Sequence, residues 1–283
     1  MIKDFVDDKI DKDFMKSHGE KSYLFETNAI TRASSLLDFF NNTDYLIRTK
    51  NNQAQRLNNF QNFLRLTDDI YTPRLLAVGG VDYNKERKNY DITRGNKTLS
   101  NLPWSLNEVI SIDKSIRNTT LIKGKRATET LVKSQNFSKF EVLHFATHGI
   151  SLYDNYKNSG LLLAPDAEND GLLSFSEIIQ LELDNIDTVF LSACNTNSAR
   201  VLYNISSPSI QKAFKRAGSN NVISTLWVID DKATSIFVDI YYDELRRVGT
   251  SIFALQRARK YFIKNYPEYS HPYYWAAFAH YGF

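Results

Sequence analysis

The chain has 283 residues, with 35 basic and 32 acidic side chains for a net charge of +3, and one cysteine. That balance argues against a nucleic-acid or anionic-membrane binder, and a single cysteine excludes an intrachain disulfide framework, which fits a reducing compartment. The length is ample for a full hydrophobic core in one or two domains.

Residues 1–17 set Ile2, Phe5, Val6, Ile10 and Phe14 among charges at helical spacing, which predicts a solvated surface helix. This acid-rich start has no signal-peptide core, and no apolar run approaches the roughly 20 residues of a membrane span. A cytoplasmic chain without a membrane partner is therefore expected. Residues 51–70 read as a helix or a variable connection. RLLAVGG (74–80) predicts a buried strand ending in glycines, and the polar, turn-rich residues 81–101 predict an exposed loop. Ser105 with Glu108 has the signature of a capping box before the helix VISIDKSI. The next elements are a strand (TTLIKG), a helix (ATETLVKS), a strand (FEVLHFAT) and a short strand, GLLLAP at 160–165. Ser174 with Glu177 predicts a second capping box, opening EIIQL. DTVFLSAC (187–194) is a strand. Ser207-Pro208 starts a helix that runs to Arg216 and ends at Ala217-Gly218. NNVISTLWVI is a strand.

Two long helices close the pattern. Ala233, Ile236, Phe237, Ile240, Leu245 and Val248 share a face of the first; Ile252, Leu255, Ala258 and Phe262 share a face of the second. Strands alternating with helices predict an α/β fold whose mainly parallel sheet carries helices on both faces. Trp227 and Trp275 read as core aromatics.

Two of the five histidines fall in EVLHFATHGI (141–150). On a helix, His144 and His148 would share a face and could hold zinc. The stretch is apolar, short and followed by glycine, which favours a strand, and the helical metalloprotease motif needs a glutamate that is missing here. No metal and no other cofactor is expected. His144 reads as a strand residue whose ring is buried or hydrogen-bonded. The cluster Lys123, Lys125, Arg126 reads as a solvated loop and helix start rather than a phosphate site.

His148 falls just past its strand, before Gly149, and Cys194 falls at the matching place on another strand. Open parallel sheets bind ligands at the carboxyl ends of their strands, and neighbouring strands lie about 4.8 Å apart. A thiol and an imidazole meeting there can act as nucleophile and base. The plainer reading of Cys194 is a small buried hydrophobe.

The order of motifs resembles the CHAT domain family, the caspase-like cysteine protease module often attached to TPR repeats and related to separases and caspases. VLHFATHG resembles its histidine motif and FLSACNT its cysteine motif. AFKRAGSNNVISTLWVIDDKAT resembles the segment that follows, HPYYWAAF (271–278) the C-terminal signature, and YLFETNAITRASSLL (23–37) the opening strand and turn. LPWSLNEV and ATETL match weaker upstream features. The resemblance runs from about residue 23 to the end, so 23–283 is expected to form the caspase-like domain and 1–22 an N-terminal helical segment, read either as a cover on the sheet or as the end of an upstream unit.

The resemblance implies a cysteine endopeptidase with His148 as general base and Cys194 as nucleophile, histidine preceding cysteine by 46 positions (194 − 148). It implies an oxyanion hole from the backbone N–H groups of Gly149 and Cys194. Asp231, in LWVIDDK, resembles the separase aspartate of the primary specificity pocket and would pair with an Arg or Lys before the scissile bond. Alternatively, Asp230 or Asp231 N-caps the helix that begins near Lys232, or one caps while the other faces the pocket. Asn195 and Thr196 read as shaping the turn after the nucleophile. After ACNT many members are glycine-rich, whereas this chain has NSARVLYNISSPSI. The implied partners are a protein substrate and an activating protein or TPR-type regulator. A catalytically silent caspase-fold scaffold is the alternative, and acyl transfer to an amine a third reading.

Overall fold

A computed structural model describes residues 71–83, 101–150, 159–192 and 210–282. The segments expected over 1–17 and 51–70 lie outside the described residues, as does most of the loop expected over 81–101.

The described chain begins with β1 (Leu75–Gly79), α1 (Pro103–Ser115), β2 (Thr119–Lys123), α2 (Glu129–Lys133) and β3 (Val142–Ala146). Three short strands follow, β4 (Gly149–Ile150), β5 (Gly160–Leu162) and β6 (Leu172–Ser174), then the one-turn helix α3 (Phe175–Ile178) and β7 (Thr188–Leu191). The rest is α4 (Ile210–Arg216), β8 (Asn221–Thr225), the long helices α5 (Asp231–Val248) and α6 (Ser251–Asn265), α7 (Pro272–Trp275) and β9 (Phe278–Gly282). The main sheet has the order β2-β1-β3-β7-β8-β9, parallel except for the β8–β9 edge; β4, β5 and β6 form a small antiparallel sheet.

Alternate residues of β1 feed two cores, as the two-residue period of a strand demands. Leu75 and Ala77 pack with Val109 and Ile112 of α1, Phe237 of α5 and Phe262 of α6. Leu76 and Val78 pack on the other face with Val132 of α2, Ile178 of α3 and Phe214 of α4. The sheet is thus mainly parallel with helices on both faces, as the alternating pattern predicts. Strands covered on both sides read as continuous apolar runs, which is why TVFL and VLHFA were visible as strands. The two long helices turn the expected faces to the core except at Ile252, which is only half-buried while Ala254 is buried in its stead. Phe237 stacks on Phe278 at 4.1 Å between ring centroids.

Four local expectations need correction. No capping box opens α1. Pro103 occupies its first turn after Leu102, which makes no side-chain cap, and Ser105 and Glu108 lie inside the helix and are buried. Proline already fixes the helical φ there, so the serine sits too late to cap. Ser105 Oγ instead donates to Leu102 O and accepts from Gly80 N. The free Trp104 N–H is met from far away in sequence by Asp231 Oδ2, at 2.8 Å. By contrast, the box at Ser174 and Glu177 forms as expected.

The second correction concerns Val81 and Tyr83, which are buried rather than part of an exposed loop. The third concerns β8, which stops at Thr225 instead of running to Ile229. Beyond it the chain turns to the C-terminal elements: Leu226 N donates to Ala277 O, Trp227 Nε1 to Tyr273 O, and Tyr273 Oη to Val228 O. For the same reason Trp227 is only half-buried, while Trp275 is a core residue as expected.

α1 lies on bare backbone at the end of β1. A Cβ built on Gly79 would sit 2.7 Å from Val109 Cγ1 and 3.1 Å from Ser105 O, closer than side chains tolerate. At Gly80 the backbone itself (φ 63°) requires glycine.

Candidate active site

β3 and β7 are parallel neighbours, with Phe145 opposite Leu191, an offset of 46 positions (191 − 145). Their exits run on together: Ser192 N donates to Phe145 O at 3.1 Å. His148 lies just past β3 and Ser192 just past β7, and both line one small cavity of about 70 Å³. Cys194 lies outside the described residues, two positions beyond Ser192, and so do Asn195, Thr196 and the loop over 195–208.

His148 is almost fully buried. Its carbonyl accepts from Leu162 N at 2.8 Å, which ties it to β5. Its N–H donates to Tyr83 Oη at 3.0 Å, and the Tyr83 ring packs against the imidazole at 4.7 Å between centroids. Tyr83 Oη in turn donates to Leu162 O at 3.1 Å. One phenol therefore joins the histidine, through backbone and ring, to the small sheet. Nothing in the polar stretch around Tyr83 signals this from sequence, because the partners are 65 and 79 positions away.

Gly149 follows on β4, opposite Leu161 of β5. The Leu162 N–H to His148 O bond makes Gly149–Leu161 the kind of antiparallel pair whose own N–H groups point away from the partner strand. The Gly149 N–H is thereby directed away from the β4–β5 ladder.

The cavity's other wall comes from α1 and the start of α5. Asp230 is the N-cap of α5, its Oδ1 accepting from Ala233 N at 2.9 Å. Asp231 lines the cavity. Of the two aspartates, Asp230 is thus the one that caps α5, while Asp231 also takes the Trp104 N–H in the first turn of α1. Burial pushes the Asp231 carboxyl above the usual carboxylate range; the Trp104 N–H opposes this, and the charges of Glu108 and Asp230 add to it.

Glu108, read from sequence as part of a cap, also lines this cavity. Its Oε1 bonds His144 Nε2 at 2.7 Å, and His144 Nδ1 bonds Tyr242 Oη at 3.0 Å. His144 is fully buried and stacks on Phe190 at 5.3 Å. It is a scaffold residue on the strand, hydrogen-bonded at both nitrogens. Behind it Asp239 is held up to about 6, by burial first; the Ser111 hydroxyl opposes this and the Glu108 and Asp243 charges reinforce it.

Among the described residues no group of three His, Cys, Asp or Glu side chains could hold a metal ion, and no helix is long and apolar enough to cross a membrane.

A mainly parallel α/β sheet with a buried histidine at a strand's carboxyl end, over a carboxylate-lined cavity, defines the class. The CHAT domain family matches residues 13–283, and the chain belongs to that family. A comparison with curated proteins finds no match. Among solved structures, separase in the Saccharomyces cerevisiae separase–securin complex aligns at 15% identity over 80% of this chain and 13% of that one, with a TM-score of 0.44. The complex of Porphyromonas gingivalis RgpB pro- and mature domains aligns at 10% identity over 76% and 48%, TM-score 0.43. The Arg-specific cysteine proteinase gingipain R aligns at 10% identity over 76% and 47%, TM-score 0.45. This chain spans less than half the length of each.

Proposed function

We infer that the chain is a cysteine endopeptidase that cuts peptide bonds after Arg or Lys. The observation that carries this reading is the burial of His148 at the carboxyl end of β3, on a cavity it shares with Ser192 and Asp231. The β3–β7 register offset equals the 46 positions separating Cys194 from His148, which supports their meeting over one substrate carbonyl.

In this mechanism His148 takes the Cys194 proton and the thiolate attacks the scissile carbonyl carbon. The carbonyl oxygen becomes an oxyanion held by the N–H groups of Gly149 and Cys194. His148 then protonates the leaving amine as the C–N bond breaks, leaving a thioester. Water attacks that thioester, giving its proton to His148, and the thiol is regenerated as the acid departs. Asp231 holds the cationic side chain before the cut.

The substrate is a protein, and turnover depends on an activating protein or TPR-type regulator. We place the protease domain at 23–283 in the cytoplasm. The family match itself reaches back to residue 13.

The test is hydrolysis of a peptide panel with Arg, Lys, Ala or Asp before the cut, by the parent chain, Cys194→Ala and His148→Ala. Cleavage after the basic residues, lost in both variants, is expected; equal cleavage by all three sinks the reading. An activated chain that cuts nothing, with Cys194 inert to iodoacetamide, favours the silent scaffold.

A further inference from the structure

Two carboxylates converge on the cavity, and each has one oxygen engaged by the protein. Asp231 Oδ2 accepts from the Trp104 N–H, and Glu108 Oε1 bonds His144. Among the described residues these are the hydrogen bonds of the two side chains, so Asp231 Oδ1 and Glu108 Oε2 are the oxygens left for the cavity. Glu108 is only 1% exposed and lines the cavity, so the cavity is where a donor for its second oxygen would stand. In so narrow a cavity, where the effective dielectric is below that of water, a ligand N–H bonds a carboxylate oxygen more strongly than at the surface.

The two carboxylates stand on different elements, Glu108 on α1 and Asp231 at the start of α5. They also feel each other, since Glu108 is one of the charges that raise the Asp231 carboxyl. A cation between them would remove this repulsion. The remaining wall includes Leu102, Ala146, Val228 and Ile229, apolar surface suited to the methylene stem of a long side chain.

We propose that Glu108 is a second specificity-determining carboxylate of this cavity, and that Glu108 and Asp231 together select a guanidinium over an ammonium. This rests on the reading of the cavity as the pocket for the side chain before the cut. A guanidinium presents five N–H donors in one plane and sheds water readily, so it spans two separated carboxylate oxygens at once. An ammonium is a compact, strongly hydrated point charge. Held by Asp231 it would leave the Glu108 oxygen to water.

The test is calorimetric binding of two acetylated tripeptide amides, identical but for a final Arg or Lys, to the full chain carrying Cys194→Ala. The Arg peptide is expected to bind roughly tenfold more tightly than the Lys peptide, the scale of one additional charge-assisted hydrogen bond. Glu108→Gln keeps the acceptor for His144 and removes the charge; it is expected to bring the Arg-to-Lys ratio close to one. Asp231→Asn is expected to weaken both peptides. Should Glu108→Gln fail to fold, Glu108→Asp withdraws the carboxylate by one methylene and is expected to lower the ratio in the same direction. A ratio unmoved in the Glu108 variant, with both peptides weakened by Asp231→Asn, overturns the role of Glu108 and leaves the pocket reading intact. Failure of both peptides to bind the chain carrying Cys194→Ala alone overturns both.

Discussion

Replacing Tyr83 with Phe isolates one oxygen atom that links His148 to the small sheet. The phenol accepts from His148 N at 3.0 Å and donates to Leu162 O at 3.1 Å, among residues that are all buried. Removing a buried donor's acceptor costs about 1–3 kcal/mol, and losing the bond to Leu162 about 0.5–1.5 kcal/mol more. Tyr83→Phe is thus expected to lower stability by about 2–4 kcal/mol, read from urea unfolding at pH 7. The ring itself survives, so its packing against the imidazole is retained. Tyr83→Leu, which discards that contact as well, is expected to be worse. In the proposed mechanism the same bond sets where the base stands. Tyr83→Phe is expected to lower kcat about tenfold at little change in KM, because misplacing a proton-transfer group slows chemistry more than binding. A loss below about 0.5 kcal/mol, on the scale of a neutral surface substitution, would refute the reasoning for Tyr83.

Other groups give further outcomes. Asp230→Ala removes the cap of α5 and is expected to cost about 1 kcal/mol in thermal unfolding, whereas Asp230→Asn, which can still accept from Ala233 N, should retain most of it. Burial holds the Asp239 carboxyl up to about 6, so the folded chain binds its proton more tightly than the unfolded one. Its stabilising share is complete below the usual carboxylate range and is lost as pH rises through about 6; Asp239→Asn is expected to raise stability at pH 7 by about 1 kcal/mol after solvent screening. His280 is driven down to about 4 by burial first and by the Arg259 and Lys215 charges. The folded state then excludes a proton that the unfolded state takes up. Stability is expected to fall as pH drops from about 6.5 through 4, by about 3 kcal/mol in all, a loss that His280→Gln should largely abolish.

The parts of this fold visible in its sequence are those decided locally. LLAVG, VLHFA and TVFL are apolar along their whole length because both faces of the sheet are covered, and α5 and α6 show their buried faces at helical period. Ser174 and Glu177 satisfy each other within one turn, so their box could be read; Ser105 and Glu108 have the same spacing but answer to Gly80 and His144 instead. A short-range pattern cannot reveal a partner supplied from elsewhere in the chain. Asp231 meeting Trp104, 127 positions away, is one such case. The short strands β4 and β6 and the edge strand β9 went unread for a related reason. β4 and β6 have two and three residues, too few to show a period, and β9 (FAHYG) mixes polar and apolar residues, so that pairing with β8 makes it a strand. At the candidate site, sequence motifs pointed to His148 and Asp231, which do face one cavity. Glu108 was disguised as a cap, and Tyr83 sat in a stretch with the composition of a loop.

Gly79 behaves as a missing shim between β1 and α1. Val109 Cγ1 would stand 2.7 Å from a methyl placed there, when ordinary contact begins at 3.4 Å. Gly79→Ala must therefore lift the helix by several tenths of an ångström or push β1 aside. Any such lift travels along a rigid rod whose first turn is bolted to Asp231 and whose second turn holds Glu108. The depth of the cavity is thus gauged by a hydrogen atom on a strand that contributes nothing to its lining.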